Sequence, residues 1–306
     1  MDGFIVVDKP AGISSHDVVY AVRRISGEKK AGHTGTLDPF ATGVLPVALG
    51  EATKAIRFLD EAFKEYRAVM RLGETTDTQD ATGEVIGRGD WQGVAPEEIE
   101  RAAAGMTGRI SQVPPMFSAL KHNGVPLYRL ARRGAEIARE AREIEISSLV
   151  IDGIDLPEVA FTVRCSRGTY VRTLAHDMGA VLGCGAHLVR LQRTVSGPFT
   201  LGGAISLEEL ARLAKAGGIG NILISPHEAL GGLVDMQVND GGMARVANGI
   251  VPQGEDFIAL PAVPGARGEL VRISRLNRLL AVAELKEGDV ASMRLVRVFN
   301  ANRQEL

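Results

Sequence analysis

The chain has 306 residues, 45% of them hydrophobic and 24% charged, with a net charge of −2. Such a composition builds one large globular domain, or a main domain with a smaller companion, and excludes a disordered chain. A pI near 6.3 argues against an overall basic nucleic-acid binder, although clustered cations can still form a local basic face.

Two cysteines, Cys165 and Cys184, are too few for a disulfide framework and suit a reducing cytoplasm. No stretch is apolar for long enough to span a bilayer, and the first ten residues lack a basic leader ahead of an apolar core. Membrane insertion and export are therefore not expected, and no residue spacing suggests a metal centre.

In chain order, Gly3–Val7 reads as a buried strand halted by Asp8-Lys9-Pro10-Ala11-Gly12. Ser14-Ser15 offers an N-cap for a helix over Asp17–Ile25, with Val18, Val19 and Val22 on one face. Gly27–Thr34 approaches the phosphate-cradling pattern G-x-x-x-x-G-K-[ST], but His33 stands where the lysine belongs and no strand immediately precedes it. A nucleotide-triphosphate site is rejected on that ground.

The stretch Gly32-His33-Thr34-Gly35-Thr36-Leu37-Asp38-Pro39-Phe40-Ala41-Thr42-Gly43-Val44-Leu45-Pro46 organises the rest. Its glycines allow tight turns or close approach, and Asp38-Pro39 signals a turn and the start of a helix. The carboxylate held there can act as nucleophile, base or cap.

Beyond it, Glu51–Leu59 looks helical and Lys64–Leu72 alternates as a strand, with Tyr66 half-buried and its hydroxyl wet. Thr75–Glu84 has acids without calcium-loop spacing and reads as a polar turn. Pro96–Thr107 is an amphipathic helix; the proline-rich 112–126 is an elaborate loop. A helix from Leu127 to about Arg142 carries Arg129, Arg132, Arg133, Arg139 and Arg142 against Glu136, Glu140 and Glu143. It is either a solvated helix laced with i,i+4 pairs or a basic lever that grips phosphates.

Ile144–Ile151 and Glu158–Cys165 look like paired strands, and the chain crosses into a helix over Leu174–Leu182. Arg172 lies on that crossing, and a partly buried arginine calls for a carboxylate from elsewhere. A turn at Gly183–Gly185 and a strand over Leu188–Arg193 follow. Ser206 and Glu209 frame a capping box for Leu207–Ala214, and Lys215–Gly220 is the best linker candidate. After about Leu233, the short runs Phe257–Leu260, Glu269–Ile273, Leu279–Leu285 and Ser292–Phe299 suggest a separate small β-barrel or sandwich.

Six motifs in order resemble the TruB-type tRNA pseudouridine synthases. They are Lys9-Pro10-x-Gly12-x-Ser14-Ser15, the Gly32–Pro46 stretch, Lys64-x-Tyr66, Thr76-Asp77-Thr78-x-Asp80, Pro114-Pro115-x-x-Ser118-Ala119-x-Lys121 with Gly124, and Gly168–Leu174. The likeness covers nearly the whole chain. It implies an α+β catalytic domain over 1–230, built on a mixed, mainly antiparallel sheet, and a small PUA-like β-barrel over 233–306. It further implies that Asp38 is the catalytic aspartate, that Arg172 pairs with it, and that Tyr66 stacks on the flipped uracil and serves in proton transfer. His33, Tyr170 and Leu191 would line the uridine pocket, with Lys9, Lys64 and Asp80 in support. An arm over about 112–142, with Lys121, Arg129, Arg132 and Arg133, would close over the RNA.

The implied reaction converts the T-loop uridine, uridine-55, of tRNA to pseudouridine. The N1–C1′ bond breaks, the base turns, and C5 rejoins C1′. No redox or phosphate chemistry is involved, so the expectation is no cofactor and no metal. A carboxylate can supply the covalent intermediate, and a nearby arginine would keep it ionised against burial. The expected partner is tRNA, with no obligatory protein partner, on a monomeric cytoplasmic enzyme. The rivals are an RNA-binding or tRNA-folding module, which would not need the set Asp38–Tyr66–Arg172, and a nucleotide-dependent enzyme, which would need the missing lysine.

Overall fold

Apolar runs buried on both faces, followed by strands buried on one, set the architecture. The computed structural model describes residues 1–59, 63–258, 268–286 and 289–299. Strand β1 (Gly3–Lys9) is buried along nearly its whole length. Ser14 caps α1 (Ser15–Ser26) in a reciprocal box with Asp17, and Val18, Val19 and Val22 form its inner face. β2 (Ala31–His33) leads into the Asp38 loop, and β3 (Thr42–Leu49) returns antiparallel to β1. The helix expected to start at Asp38-Pro39 does not form. The Ala41 amide donates to the Asp38 carbonyl at 3.1 Å to close a turn, and the apolar residues that follow pair with β1 instead. Likewise 50–58 holds two short 3₁₀ turns, Gly50–Lys54 and Ile56–Phe58, where one helix was expected.

β4 (Phe63–Leu72) alternates buried and exposed positions as its sequence predicts. A hairpin of β5 (Glu74–Thr76) and β6 (Val85–Arg88), then α2 (Pro96–Gly105), lead to β7 (Gly108–Gln112). The next excursion holds β8 (Lys121–His122), β9 (Val125–Pro126) and α3 (Leu127–Ala131), and ends where β10 (Arg142–Asp155) pairs with β7. The helix expected to reach about Arg142 thus stops at Ala131. Gly134 takes a left-handed φ of 75°, and Arg142 is already in register with Gln112. β11 (Glu158–Ser166), α4 (Val171–Val181), β12 (Ala186–Ser196), β13 (Phe199–Thr200) and α5 (Leu207–Lys215) complete the body.

The large sheet runs β1-β3-β12-β4-β11-β10-β7, with β2 beside β3 and β13 beside β12. Only the β3–β12 contact is parallel, so the sheet is mixed and mainly antiparallel. Lys215–Gly220 is not a loose linker. The Gly218 amide bonds back to the Leu213 carbonyl, Ile219 is buried, and Ile224 pairs with Phe4. Ser206 does cap α5, but Glu209 turns its carboxylate to Arg212, leaving half of the expected box.

The chain then forms α6 (Pro226–Ala229), β14 (Val234–Gln237), α7 (Asp240–Ala247), β15 (Leu270–Arg275), β16 (Arg278–Lys286) and β17 (Asp289–Val298). Among the described residues these strands make one open sheet, β14-β15-β16-β17, and not the expected closed barrel. Of the expected run Phe257–Leu260, Phe257 forms only an isolated bridge to Val238, and Leu260 lies outside the described residues. The physical reason is that β16 is already buried on both faces. Leu280, Ala281 and Ala283 pack inside the small unit, while Leu279 and Val282 pack on the large sheet.

One apolar cluster fills the helix-bearing face of the large sheet. A second joins Phe4, Val6, Val44 and Ala48 to Leu279, Val282 and Phe299, so the small sheet docks on the back of β1 and β3. Phe4 is fully buried there, its ring 5.4 Å from that of Phe199. Phe4→Ala should cost about 3–5 kcal/mol, read as a lower urea midpoint in a single transition. Two separated transitions in the wild-type protein would show that the sheets unfold independently.

Candidate active site

The Asp38 loop joins β2 to β3, and its backbone is held from three directions. From β1, Lys9 Nζ donates to the carbonyls of Pro10 (2.9 Å), Pro39 (3.1 Å) and Ala41 (2.7 Å). From α1, Ser15 Oγ accepts from the Leu37 amide at 2.8 Å and donates to the Leu37 carbonyl at 3.1 Å. From β12, Arg193 donates to the Gly35 carbonyl at 3.1 Å and the Val44 carbonyl at 2.7 Å. Two glycines permit this closeness. A Cβ on Gly43 (φ 98°) would fall 2.2 Å from the Arg193 carbonyl, and one on Gly35 would fall 2.7 Å from Lys64 Nζ.

Asp38 projects from this loop into a cavity of about 300 Å³, with Lys64 and Tyr66 of β4, Leu191 of β12, and Tyr170 and Arg172 at the head of α4 around it. Arg172 Nη2 lies 3.4 Å from Asp38 Oδ1, and Nη1 lies 3.4 Å from Asp80 Oδ2. The two partners differ. The Asp80 side chain is 3% exposed and pinned by the Thr78 and Thr82 hydroxyls, whereas that of Asp38 is 30% exposed and faces the cavity. Arg172 Nη2 also donates to the Phe117 carbonyl at 2.6 Å, which ties the start of the 113–120 loop to the site. Gln112 clamps Tyr170 by accepting from its amide (2.8 Å) and donating to its carbonyl (3.1 Å).

Burial raises the Asp38 carboxyl above the ordinary carboxylate range, with Arg172 opposing, Asp80 reinforcing and Lys9 opposing more weakly. Burial thus sets the direction of the shift, and the Arg172 guanidinium works against it, in the sense expected of it. An ion pair at this distance gains on the order of 4 kcal/mol near a protein surface, while removing a carboxylate from water costs several. Burial likewise lowers Lys9 to about 8 and lowers His33.

His33 does not line the cavity. It sits on β2 opposite Val47, half-buried, its Nδ1 without a hydrogen-bond partner among the described residues. Lys9 and Asp80 also stand behind the cavity wall rather than in it. Of the arm, Ser118, Ala119 and Leu120 reach the wall, while Lys121, Arg129, Arg132 and Arg133 are exposed beyond it. Among the described residues none of those three arginines has an acidic partner; Arg129 and Arg132 lie 6.0 and 5.7 Å from the Tyr128 ring. The pair-laced reading of this segment falls away.

Sequence reasoning missed Gln112, Ser15 and Arg193. The signal for Arg193 was a cation two residues after Leu191 in a strand, hence on the same inward face. A larger cavity of about 480 Å³ between Phe58, Phe63, Val195, Leu230 and Leu233 has, among the described residues, Arg164 as its only charged side chain and no nucleophile. Among the described residues no cluster of His, Cys, Asp and Glu could hold a metal, and no helix is long and apolar enough to cross a membrane.

Two family models match the chain: TruB family pseudouridylate synthase (N terminal domain) over residues 23–171, and tRNA pseudouridylate synthase B C-terminal domain over 172–227. The tRNA pseudouridine synthase B of Geotalea uraniireducens is 61% identical over 98% of each chain. The chain belongs to the TruB family of pseudouridylate synthases. The namesake from Geobacter sulfurreducens is 56% identical over 98% of this chain and all of its own. A solved Cbf5-Nop10-Gar1 complex contains a chain with TM-score 0.76 and 31% identity, over 97% of this chain and 85% of that one. The boundary between the two family models, at residue 172, falls inside the large sheet's body, because α4 and β12 follow it.

Since Arg172 opposes the effect of burial, Arg172→Met should move the Asp38 midpoint to still higher pH. Carboxyl-labelled aspartate followed by NMR, with Asp38→Asn to assign the signal, measures this. An unmoved or lowered midpoint would show that Arg172 does not govern the carboxyl.

Proposed function

We infer that the protein is a tRNA pseudouridine synthase that isomerises the T-loop uridine, with Asp38 as the group that attacks the extruded nucleotide. The observation that carries this reading is Asp38 itself. It is a partly exposed carboxylate at the floor of a cavity, facing a guanidinium anchored behind it by Asp80 and Phe117. A pure RNA-binding module gains nothing from a buried acid–base pair that costs desolvation.

A base must leave the T-loop stack to reach Asp38, at a cost of a few kcal/mol. Tyr66 offers the face on which it stacks, recovering ~1–3 kcal/mol, and Tyr170 and Leu191 close the pocket. Arg172 aims the carboxylate and opposes the upward push that burial exerts on Asp38. Lys9 and Lys64 support the loop and the floor. Residues 1–230 form the catalytic domain, and 233–306 a PUA-like RNA-binding unit whose strands carry Arg278 and Arg297. The arm, 112–142, grips phosphates with Lys121, Arg129, Arg132 and Arg133, cations left free of acidic partners among the described residues. His33 stands next to the loop, ready to follow the departing base. The reading makes the enzyme a cytoplasmic monomer that needs tRNA alone.

Tritium release from tRNA transcripts labelled at uracil C5 tests the reading. Wild type should release label, and Asp38→Asn should bind the transcript and release none; full release by Asp38→Asn would remove Asp38 from the role. For the arm, replacing both Arg132 and Arg133 with alanine should flatten the slope of log affinity against log salt by about one for each lost phosphate contact. An unchanged slope would place the phosphate grip elsewhere.

A further inference from the structure

Arg193 is a costly residue to keep. Its side chain is 0% exposed, and among the described residues it has no carboxylate partner. Among the described residues its guanidinium donates to three carbonyls: Val44 at 2.7 Å, Gly35 at 3.1 Å and, more weakly, Thr36 at 3.5 Å. A buried guanidinium without a counter-ion is destabilising unless something else in the molecule uses it. Its place in the sheet shows what that is. β12 runs beside both β3 and β4, so Arg193 is in register with Gly43 on one side and Tyr66 on the other. The same guanidinium therefore sits between the loop that carries Asp38 and the phenol that forms the opposite wall.

We propose that Arg193 is a positioning residue that locks the Asp38 loop by its carbonyls and sets the Tyr66 phenol in place for proton transfer in the reaction. This rests on the synthase reading above. The groups facing Tyr66 act in opposite senses: burial, the Cys165 thiol and the Asp38 carboxyl raise the phenol above its ordinary range, and Arg193 opposes them through charge and a hydrogen bond. Ionised Tyr66 is the form that can take up the proton that C5 must lose once it is joined to C1′. The C5–H electron pair then restores the C5–C6 double bond, N1 regains a proton from water, and the phenol returns its proton to solvent. Without Arg193 the phenolate would be a buried anion beside a carboxylate, and the carbonyls of Gly35 in the loop and Val44 in β3 would lose this donor.

The chain has only four tyrosines, so replacing them biosynthetically with 3,5-difluorotyrosine, a more acidic phenol, gives a fluorine spectrum in which Tyr66→Phe assigns one signal. In full-length Arg193→Met the Tyr66 signal should titrate about 1–3 pH units higher than in the parent. Single-turnover conversion of tRNA should fall roughly 100-fold, with tRNA affinity unchanged. Arg193→Lys should keep the Tyr66 midpoint near the parent value yet lose rate, because one ammonium cannot span the Gly35 and Val44 carbonyls. If Arg193→Met does not fold, Arg193→Lys decides: a slowed rate at intact affinity supports the proposal, and a parental rate overturns it. A folded Arg193→Met with an unmoved Tyr66 midpoint also overturns it. Failure of the synthase reading looks different, because the parent protein would itself convert no tRNA while the titrations remained measurable.

Discussion

The structure depends on how a loop with no secondary structure of its own is kept rigid. Residues 34–41 make no ladder that could satisfy their backbone groups, yet they carry the acid on which the site is built. Their carbonyls are taken up by side chains from three separate elements: Lys9 from β1, Ser15 from α1 and Arg193 from β12. Two of these are buried cations, and a buried carbonyl left without its donor costs about 1–3 kcal/mol. The loop is therefore held by the elements around it. This explains why Lys9 tolerates a burial that lowers it to about 8: carbonyl oxygens favour its charged form while the surrounding protein disfavours it.

Arg172 applies the same logic to the acid. One of its partners, Asp80, is fixed by Thr78 and Thr82 in a turn that owes nothing to the cavity. The other, Asp38, is left partly open. An arginine held by Asp80 keeps its orientation whether or not Asp38 is charged, so Asp38 can change state without dismantling the site. The third contact, to the Phe117 carbonyl, brings the base of the arm to the same guanidinium. Because β7 and β10 pair at Gln112 and Arg142, the segment between them leaves and re-enters the sheet at one paired position.

Local signals were legible where local physics decides. Ser14 with Asp17 gave the start of α1, and the alternation through Lys64–Leu72 gave β4, although Tyr66 is buried rather than half-buried with a wet hydroxyl. The demand that Arg172 find a carboxylate was also readable, because a buried guanidinium is costly alone. What failed were signals that tertiary pairing overrides. Pro39 could have opened a helix, but Val44–Leu49 had a stronger use as a strand beside β1. The charged stretch after Leu127 has helical spacing, yet Gly134 ends it and the pairing of Arg142 with β7 claims the rest. Gly217 and Gly218 suggested slack, but they close α5 so that Ile219 can be buried. Arg193 was overlooked because a cation inside an apolar strand looks like a surface residue until its three acceptors, all from distant segments, are known.

The apolar pattern of β1 and β3 links catalysis to the rest of the chain. A strand buried on one face alternates; these two do not, and their second set of apolar residues needs a cover. Phe4, Val6, Val44 and Ala48 find it in Leu279 and Val282 of β16 and in Phe58. The same β3 backbone that receives this cover supplies the Val44 carbonyl to Arg193 and the Gly43 approach to β12. The register that seats the small sheet on the back of the molecule thus also sets where the Asp38 loop ends. Slipping β3 by one residue would exchange its two faces, expose the apolar cover and withdraw the Val44 carbonyl at once. The docking of the C-terminal sheet and the position of the Asp38 carboxylate are consequences of one strand register.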